Sequence, residues 1–322
     1  MRVLVVGATG QLGTAVVRKL TDRGVRVRAC ARTTSRYEHL KRNGIEIAFA
    51  DLTDPSTLDS LCANVDAVIA TANTATPRMR GDSFRAVDEE GYKNLIDACV
   101  RQRVGQFVYA SIVAHPDLDA LPLSRAKRIT EARLRQSGLP FTVFRADAFM
   151  DVHFSMMGSD LPVQGAEAAT VQRPFWFSTR FFQSIKHDMA QSGKAGVLGD
   201  GLARRTYVCI DDMAEFLVRG VGHPSATNAV FDVGGPEALS QKEVVRTFEK
   251  VLGKPLIVKH APAMVFRIGR YLLAPFSPAA ANIMGLNYVS TYVESIIDMR
   301  ETASLFGVKL TSAEQFLRKR LG

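Results

Sequence analysis

The chain has 322 residues, 47% of them hydrophobic and 23% charged, with a formal net charge of +9. That is enough apolar material for one large folded domain and a smaller lobe, and it excludes a disordered or collagen-like chain. The basic residues are scattered singly or in pairs, as in Arg18-Lys19 and Lys127-Arg128, with no basic run interleaved with aromatics, so no nucleic-acid partner is expected.

The chain opens on the β-branched run RVLVVG without an apolar leader, and no stretch reaches the ~18 to 20 apolar residues that span a bilayer. The expectation is a cytoplasmic protein with no transmembrane segment. Further strands are expected at Val25–Cys30, Ile45–Phe49, Ala67–Ala70, Phe107–Ala110 and Phe141–Phe144. These runs are almost continuously apolar, as in parallel strands covered on both faces. Between them, helical patterns occupy Leu12–Arg23, Arg36–Asn43, Pro55–Ala63, Phe84–Arg103 and Ser124–Ser137. The alternation predicts an α/β fold with a doubly wound parallel sheet. Residues 1–150 are read as its nucleotide-binding part. Residues 151–322 are read as a mixed region that completes the sheet and forms a smaller substrate lobe.

Helix starts are expected at Asp54-Pro55 and at three pairs with capping-box spacing: Asp212 with Glu215, Ser240 with Glu243, and Thr311 with Glu314. Beyond residue 150 a strand is expected at Val230–Val233, with helices near 212–220 and 241–252. Phe149–Phe182 is rich in aromatics and methionine, suiting either the core of the lobe or a lid over an apolar substrate. The four cysteines, Cys30, Cys62, Cys99 and Cys209, stand far apart in apolar contexts. They show no CxxC pair and no metal spacing, which points to reduced, buried thiols and no metal site.

Gly7-Ala8-Thr9-Gly10-Gln11-Leu12-Gly13 follows the first strand and opens the first helix. Gly7 permits the turn, Gly10 lets the backbone approach a pyrophosphate, and Gly13 lets the helix pack closely on the sheet. The diphosphate then meets free N–H groups and the positive end of the helix dipole. The second strand ends ACARTTSR with no acid to hold a ribose 2′-hydroxyl. Arg32 and Arg36, helped by Thr33 and Ser35, suit a 2′-phosphate instead, so NADP(H) is favoured over NAD(H). Asp51, beside Leu52, follows the third strand, where it either accepts from the adenine amino group or caps the next helix. Thr71, Ala72 and Asn73 follow the fourth strand and face the middle of the cofactor.

These segments, with VDEEG at 87–91, FVYAS at 107–111, Lys127-x-x-x-Glu131 and SGLPFTVFRADAF at 137–149, resemble the short-chain dehydrogenase/reductase superfamily. The resemblance is to its atypical, NmrA-like branch of NAD(P)-binding Rossmann proteins. It covers residues 1–150 well and 200–252 fairly, through IDDMAEFL at 210–217 and VGGPEALS at 233–240, and it does not reach 151–195 or the C-terminal 60 residues.

The resemblance implies that Lys127 and Ser111 occupy catalytic positions. Lys127 would orient the nicotinamide ribose and relay a proton, while Leu123 stands where the superfamily usually has its tyrosine. Each residue also has a plainer reading. Lys127 could be a surface lysine paired with Glu131 four residues on, and Ser111 a structural hydroxyl at a strand end. Tyr109 is read as core. Arg145 either lines the nicotinamide pocket or forms a structural pair, and His115 and His153 are minor candidates for a proton donor.

The helical pattern at Val265–Leu273 is read as packing on its own domain in preference to a membrane surface, and the sequence leaves room for a homo-oligomer. The function these features imply is hydride transfer from NADPH to a small apolar or aromatic carbonyl, enone or quinone. The alternative, prompted by Leu123, is a non-catalytic NAD(P)-binding redox sensor or assembly factor.

Overall fold

Val3, Leu4, Val5 and Val6 are at most 1% exposed, because the strand they form, β1 (Arg2–Val6), is flanked on both edges. It pairs in parallel with β2 (Arg26–Ala31) on one side and with β4 (Ala67–Ala70) on the other. Outward from these, β3 (Glu46–Phe49) pairs with β2 and β5 (Gln106–Ile112) with β4, again in parallel. The sheet has seven strands in the order β3-β2-β1-β4-β5, then β6 (Phe141–Ala146), then the strand Ala229–Val233. Strand order reverses between β1 and β4, and in doubly wound sheets ligands bind at that reversal, outside the carboxyl ends of the strands.

The computed structural model describes residues 1–41, 44–77, 81–161 and 186–322. They divide into two compact units, one of residues 1–145 with 213–231 and one built from the remaining described residues of 146–212 and 232–322.

In the first unit, α1 (Gln11–Asp22) buries Gly13, Val16, Val17 and Leu20 at helical spacing. The expected helix over Pro55–Ala63 begins as a 3₁₀ turn at Pro55–Thr57, capped by the Asp54 carboxylate, and continues as α2 (Leu58–Cys62). The carbonyls at its end are met by the Arg28 guanidinium, which donates to Leu61 O at 2.8 Å and Ala63 O at 2.8 Å. The helix expected at Arg36–Asn43 reduces, among the described residues, to a 3₁₀ turn at Glu38–Leu40. Leu40 is its single buried anchor, and the segment has no periodic apolar face. Over Phe84–Arg103 the first eight residues, Phe84–Gly91, wind as a π-helix before α3 (Tyr92–Arg101) takes over. A short helix, α4 (Pro116–Asp119), and the longer α5 (Pro122–Gln136) follow β5.

Two expected helix starts lie elsewhere. The 210–219 helix begins at Ile210, so Asp212 is not its cap. Asp212 instead accepts from Thr311 N at 2.7 Å, while Glu215 pairs with Lys19 at 3.3 Å and Arg23 at 2.5 Å. At the C-terminal end the capping box belongs to Ser312 and Gln315, one residue later than Thr311 and Glu314. The Ser240–Glu243 box on Gln241–Leu252 is as expected.

The second unit holds two small sheets. Lys194–Leu198 pairs in parallel with Ile257–Ala261, and Arg204–Arg205 pairs antiparallel with Leu239–Ser240. Its core gathers Met150, Phe154, Met157, Val197, Tyr207, Val244, Phe248 and Phe316. Phe154, on α6 (Met150–Met156), lies against the rings of Tyr207, Phe248 and Phe316 at 5.3, 6.0 and 5.9 Å. Phe154 and Met157 are therefore core residues of this unit. Phe175, Trp176, Phe177, Phe181 and Phe182, the rest of the aromatic segment, lie outside the described residues. The helices Ala263–Leu273, Pro278–Val289, Arg300–Phe306 and Ala313–Leu321 also belong to the unit; Phe266 of the first is buried, whereas its Val265, Ile268 and Leu272 are exposed. All four cysteines are free and buried.

Candidate functional site

Gly7 has φ +85°, and a Cβ there would lie 2.6 Å from Ala72 N and 2.8 Å from Thr71 Oγ1. The turn off β1 therefore fits only a glycine, in conformation and in space. Gly13 is bound as tightly, since an added Cβ would stand 2.0 Å from the Gly7 carbonyl oxygen. The glycine spacing thus brings the first turn of α1 directly onto the loop. The turn is closed by Gly10 N donating to Gly7 O at 2.9 Å and Thr14 Oγ1 donating to Ala8 O at 3.0 Å.

Gly10 is the N-cap of α1, in extended backbone with φ −84°, and it has no side chain to cap the helix. No acid stands in the first turn either. The early amides, on Gln11, Leu12 and Gly13, thus have no side-chain acceptor from the cap, and no carboxylate of this first turn opposes an incoming anion. Thr9 is buried beside them. This cradle fits a diphosphate on its own geometry.

Across the strand-order reversal, Thr71 is buried and donates its hydroxyl to Val6 O at 3.1 Å, tying β4 to β1. Asn73 accepts from Ala75 N at 3.1 Å and shapes the loop. Asp51 accepts from Thr53 N at 2.9 Å and from the Thr53 hydroxyl at 2.7 Å. It therefore organises the turn after β3, and the helix cap falls to Asp54. Leu52 is buried beneath Gly91, where an added Cβ would meet the Leu52 Cβ at 2.9 Å.

Arg32 lies at the carboxyl end of β2, as expected, and Arg36 beyond it is exposed. The Arg32 guanidinium forks onto Asp82, with Nη1 to Oδ1 at 2.7 Å and Nη2 to Oδ2 at 3.2 Å, and stands 3.9 Å from Asp51. Sequence reasoning missed Asp82, which is 50 residues away in a stretch without periodic pattern.

Lys127 is 3% exposed, so the surface-lysine reading is excluded. Its ammonium donates to Ala110 O at 3.2 Å and lies over the Tyr109 ring at 4.7 Å and the Tyr92 ring at 5.6 Å. Burial pushes its pKa down to about 8, against the opposing pull of Asp88 and Glu131. Asp88, on the π-helical run, is fully buried and is lifted above the usual carboxylate range by desolvation, with Lys127 and Thr74 acting against the rise. One of its oxygens accepts from Thr74 N at 3.0 Å and from the Thr74 hydroxyl, and the other has no hydrogen-bond partner among the described residues. Tyr92 holds the loop after β4 by donating to Ala72 O at 2.7 Å.

Ser111, 4% exposed, donates to Glu131 Oε1 at 2.7 Å. Glu131 also takes a fork from Arg145, at 3.0 and 2.5 Å, and an ion pair from Arg128. Burial alone would raise Glu131; the hydrogen bonds from Arg145 and Ser111 and the Arg128 charge hold it below the usual range. Ser111 and Arg145 thus share one structural carboxylate, while Lys127 packs with Tyr92 and Tyr109 and feels the charges of both Asp88 and Glu131.

The two histidine candidates fall away. His115 caps α4, accepting from Asp117 N at 3.2 Å. His153, in the other unit, stands edge-on to Tyr207 at 5.9 Å, and desolvation assisted by the Arg205 charge lowers it to about 3, leaving a neutral ring. Among the described residues no three His, Cys, Asp or Glu side chains converge as a metal site.

With this geometry in place, comparison with known proteins is decisive at the family level: residues 1–314 match the NmrA-like family. The chain belongs to that family. Among curated relatives, the photosystem II assembly factor Ycf39 of Synechocystis sp. is 30% identical over 271 residues, 84% of this chain and 73% of that protein. A (4-alkanoyl-5-oxo-2,5-dihydrofuran-3-yl)methyl phosphate reductase of Streptomyces griseus is 26% identical over 280 residues, 87% of this chain and 83% of that protein. Among solved structures, the NADPH complex of an NADPH-dependent quinone oxidoreductase from Escherichia coli aligns over 100% of both chains with TM-score 0.73 and 18% identity. The fold is that of NAD(P)-dependent reductases.

Proposed function

We propose that this NmrA-like protein is an NADPH-dependent reductase of a small apolar carbonyl, enone or quinone. Gly7, Thr9, Gly10 and Gly13 with the first amides of α1 hold the diphosphate, Arg32 and Arg36 favour the 2′-phosphate, and Thr71 and Asn73 border the middle of the cofactor. The reduced nicotinamide, when bound, supplies a hydride.

The observation that carries the reading is Lys127, a buried ammonium over two tyrosine rings whose pKa is lowered to about 8. A group so placed keeps its proton at neutral pH and gives it up at modest cost, which is what protonation of a developing oxyanion or hydroquinone requires. Asp88 balances the charge, and the Tyr92 bond to Ala72 O fixes the neighbouring loop. Ser111 acts at one remove, by positioning Glu131 and through it the base of α5.

A second reading is favoured by the 30% identity to an assembly factor and by Leu123 at the position where the short-chain dehydrogenase/reductase superfamily usually has its tyrosine. In it the same cradle binds the dinucleotide as a signal without turnover. NADPH consumption over a panel of quinones, enones and aryl ketones separates the two. The reductase reading expects turnover with at least one of them and a loss of about 100-fold or more in Lys127→Ala. Tight NADPH binding with no turnover on any acceptor would select the assembly-factor reading.

A further inference from the structure

Between Glu249 and Glu294, 44 consecutive residues contain no aspartate or glutamate, while Lys254, Lys259, Arg267 and Arg270 fall among them, with Lys250, which pairs with Glu314 at 2.6 Å. The helix Ala263–Leu273 lies at the centre of this stretch. One side of it is packed: Phe266 is 8% exposed, and a Cβ on Gly269 would sit 3.4 Å from Met284 Sδ on the neighbouring helix. The other side is bare. Met264, Val265, Ile268, Tyr271 and Leu272 are 50 to 65% exposed, and Phe276 in the turn that follows is 86% exposed.

Positions 264, 265, 268, 271 and 272 recur at helical spacing, so these side chains form one stripe and are not isolated surface residues. Arg267 is exposed beside the stripe, and the Arg270 guanidinium lies over the Tyr271 ring at 4.6 Å.

We propose that this stripe docks on the surface of an anionic lipid bilayer, with the helix lying in the plane of the interface. Large apolar side chains enter the headgroup boundary while Arg267 and Arg270 of the same helix meet lipid phosphates, which is the division of labour in an interfacial helix. Charge complementarity selects the occupant. A second copy of the chain would bring Arg267 and Arg270 against their own counterparts, and a nucleic acid would leave the stripe exposed to water. The helix has eleven residues, and no helix among the described residues is long and apolar enough to cross a membrane, so the contact is peripheral. The inference is independent of the proposed reductase activity.

The test is co-sedimentation of the full chain with vesicles of pure phosphatidylcholine and with vesicles that also contain phosphatidylglycerol. Binding to the anionic vesicles is expected, weakened by added salt. Ile268→Glu combined with Leu272→Glu should reduce it about tenfold or more, by removing apolar burial. Arg267→Gln should reduce it about fivefold on anionic vesicles only. Both variants alter exposed positions, and unchanged melting temperatures establish that they fold. On the unaltered chain, amide exchange in Ala263–Leu273 should slow when anionic vesicles are added, a readout that needs no variant. Absence of sedimentation with either vesicle, equal binding by the double variant, or a lipid-independent dimer abolished by the same substitutions would overturn the proposal.

Discussion

Gly7 and Gly13 hold the turn after β1 by what they lack. Alanine at position 7 would place a Cβ 2.6 Å from Ala72 N in a backbone with φ +85°, so Gly7→Ala should cost roughly 1–3 kcal/mol of stability and remove dinucleotide binding, read by thermal unfolding and titration together. Arg32 supports a subtler expectation. Its fork is taken by Asp82, so a 2′-phosphate must compete with that carboxylate. Arg32→Ala should weaken NADPH about 10- to 100-fold with little effect on NADH, and Asp82→Ala should strengthen NADPH, both measured by calorimetry.

Lys127 makes pH the readout. With its pKa lowered to about 8, a proton-donating ammonium predicts turnover that declines as pH rises through about 8. The stability sign follows from the same shift. The native state loses this proton near 8 and the unfolded chain near 10.5, so the lysine's contribution to stability rises between those values. Lys127→Met should remove that rise in a comparison of melting temperature against pH.

At the scale of elements, the segment directly after β6 and the short Arg204–Arg205 strand are joined by an ion pair that no sequence pattern marks. Asp147, 7% exposed, takes Arg205 Nε at 3.1 Å and Thr206 N at 3.1 Å. Asp147→Ala leaves a buried guanidinium uncompensated and should lower stability by about 3–5 kcal/mol in denaturant melts.

Such pairs explain what the sequence could and could not reveal. The strands β1 and β4 were legible because both faces are buried and the runs are apolar throughout, the others because apolar residues predominate in them between turn signals, and the glycine turn was legible because only glycine satisfies it. Lys127 was legible by family resemblance, but its burial was not, because that depends on Tyr92, Tyr109 and Asp88 converging from three elements. The π-helical winding of Phe84–Gly91, which puts Asp88 inside, has the same local pattern as an α-helix. Thr311 and Ser312 are both competent caps, and spacing alone placed the box one residue early. Asp212 carried a capping signal that tertiary structure uses differently, for a bond to Thr311.

For the whole molecule, every residue of the proposed cofactor site lies in the unit of residues 1–145 and 213–231. A ligand held there stabilises the native state by mass action, about 2.7 kcal/mol at a hundredfold excess over Kd. NADPH should therefore raise the melting temperature in a concentration-dependent way, and Gly13→Ala should abolish the effect. The most direct measurement of the central claim is calorimetric titration of the purified chain with NADPH and with NADH. Saturable one-site binding of NADPH is expected, tighter than that of NADH and lost in Gly13→Ala. No detectable binding of either nucleotide, or binding that survives that substitution unchanged, would contradict it.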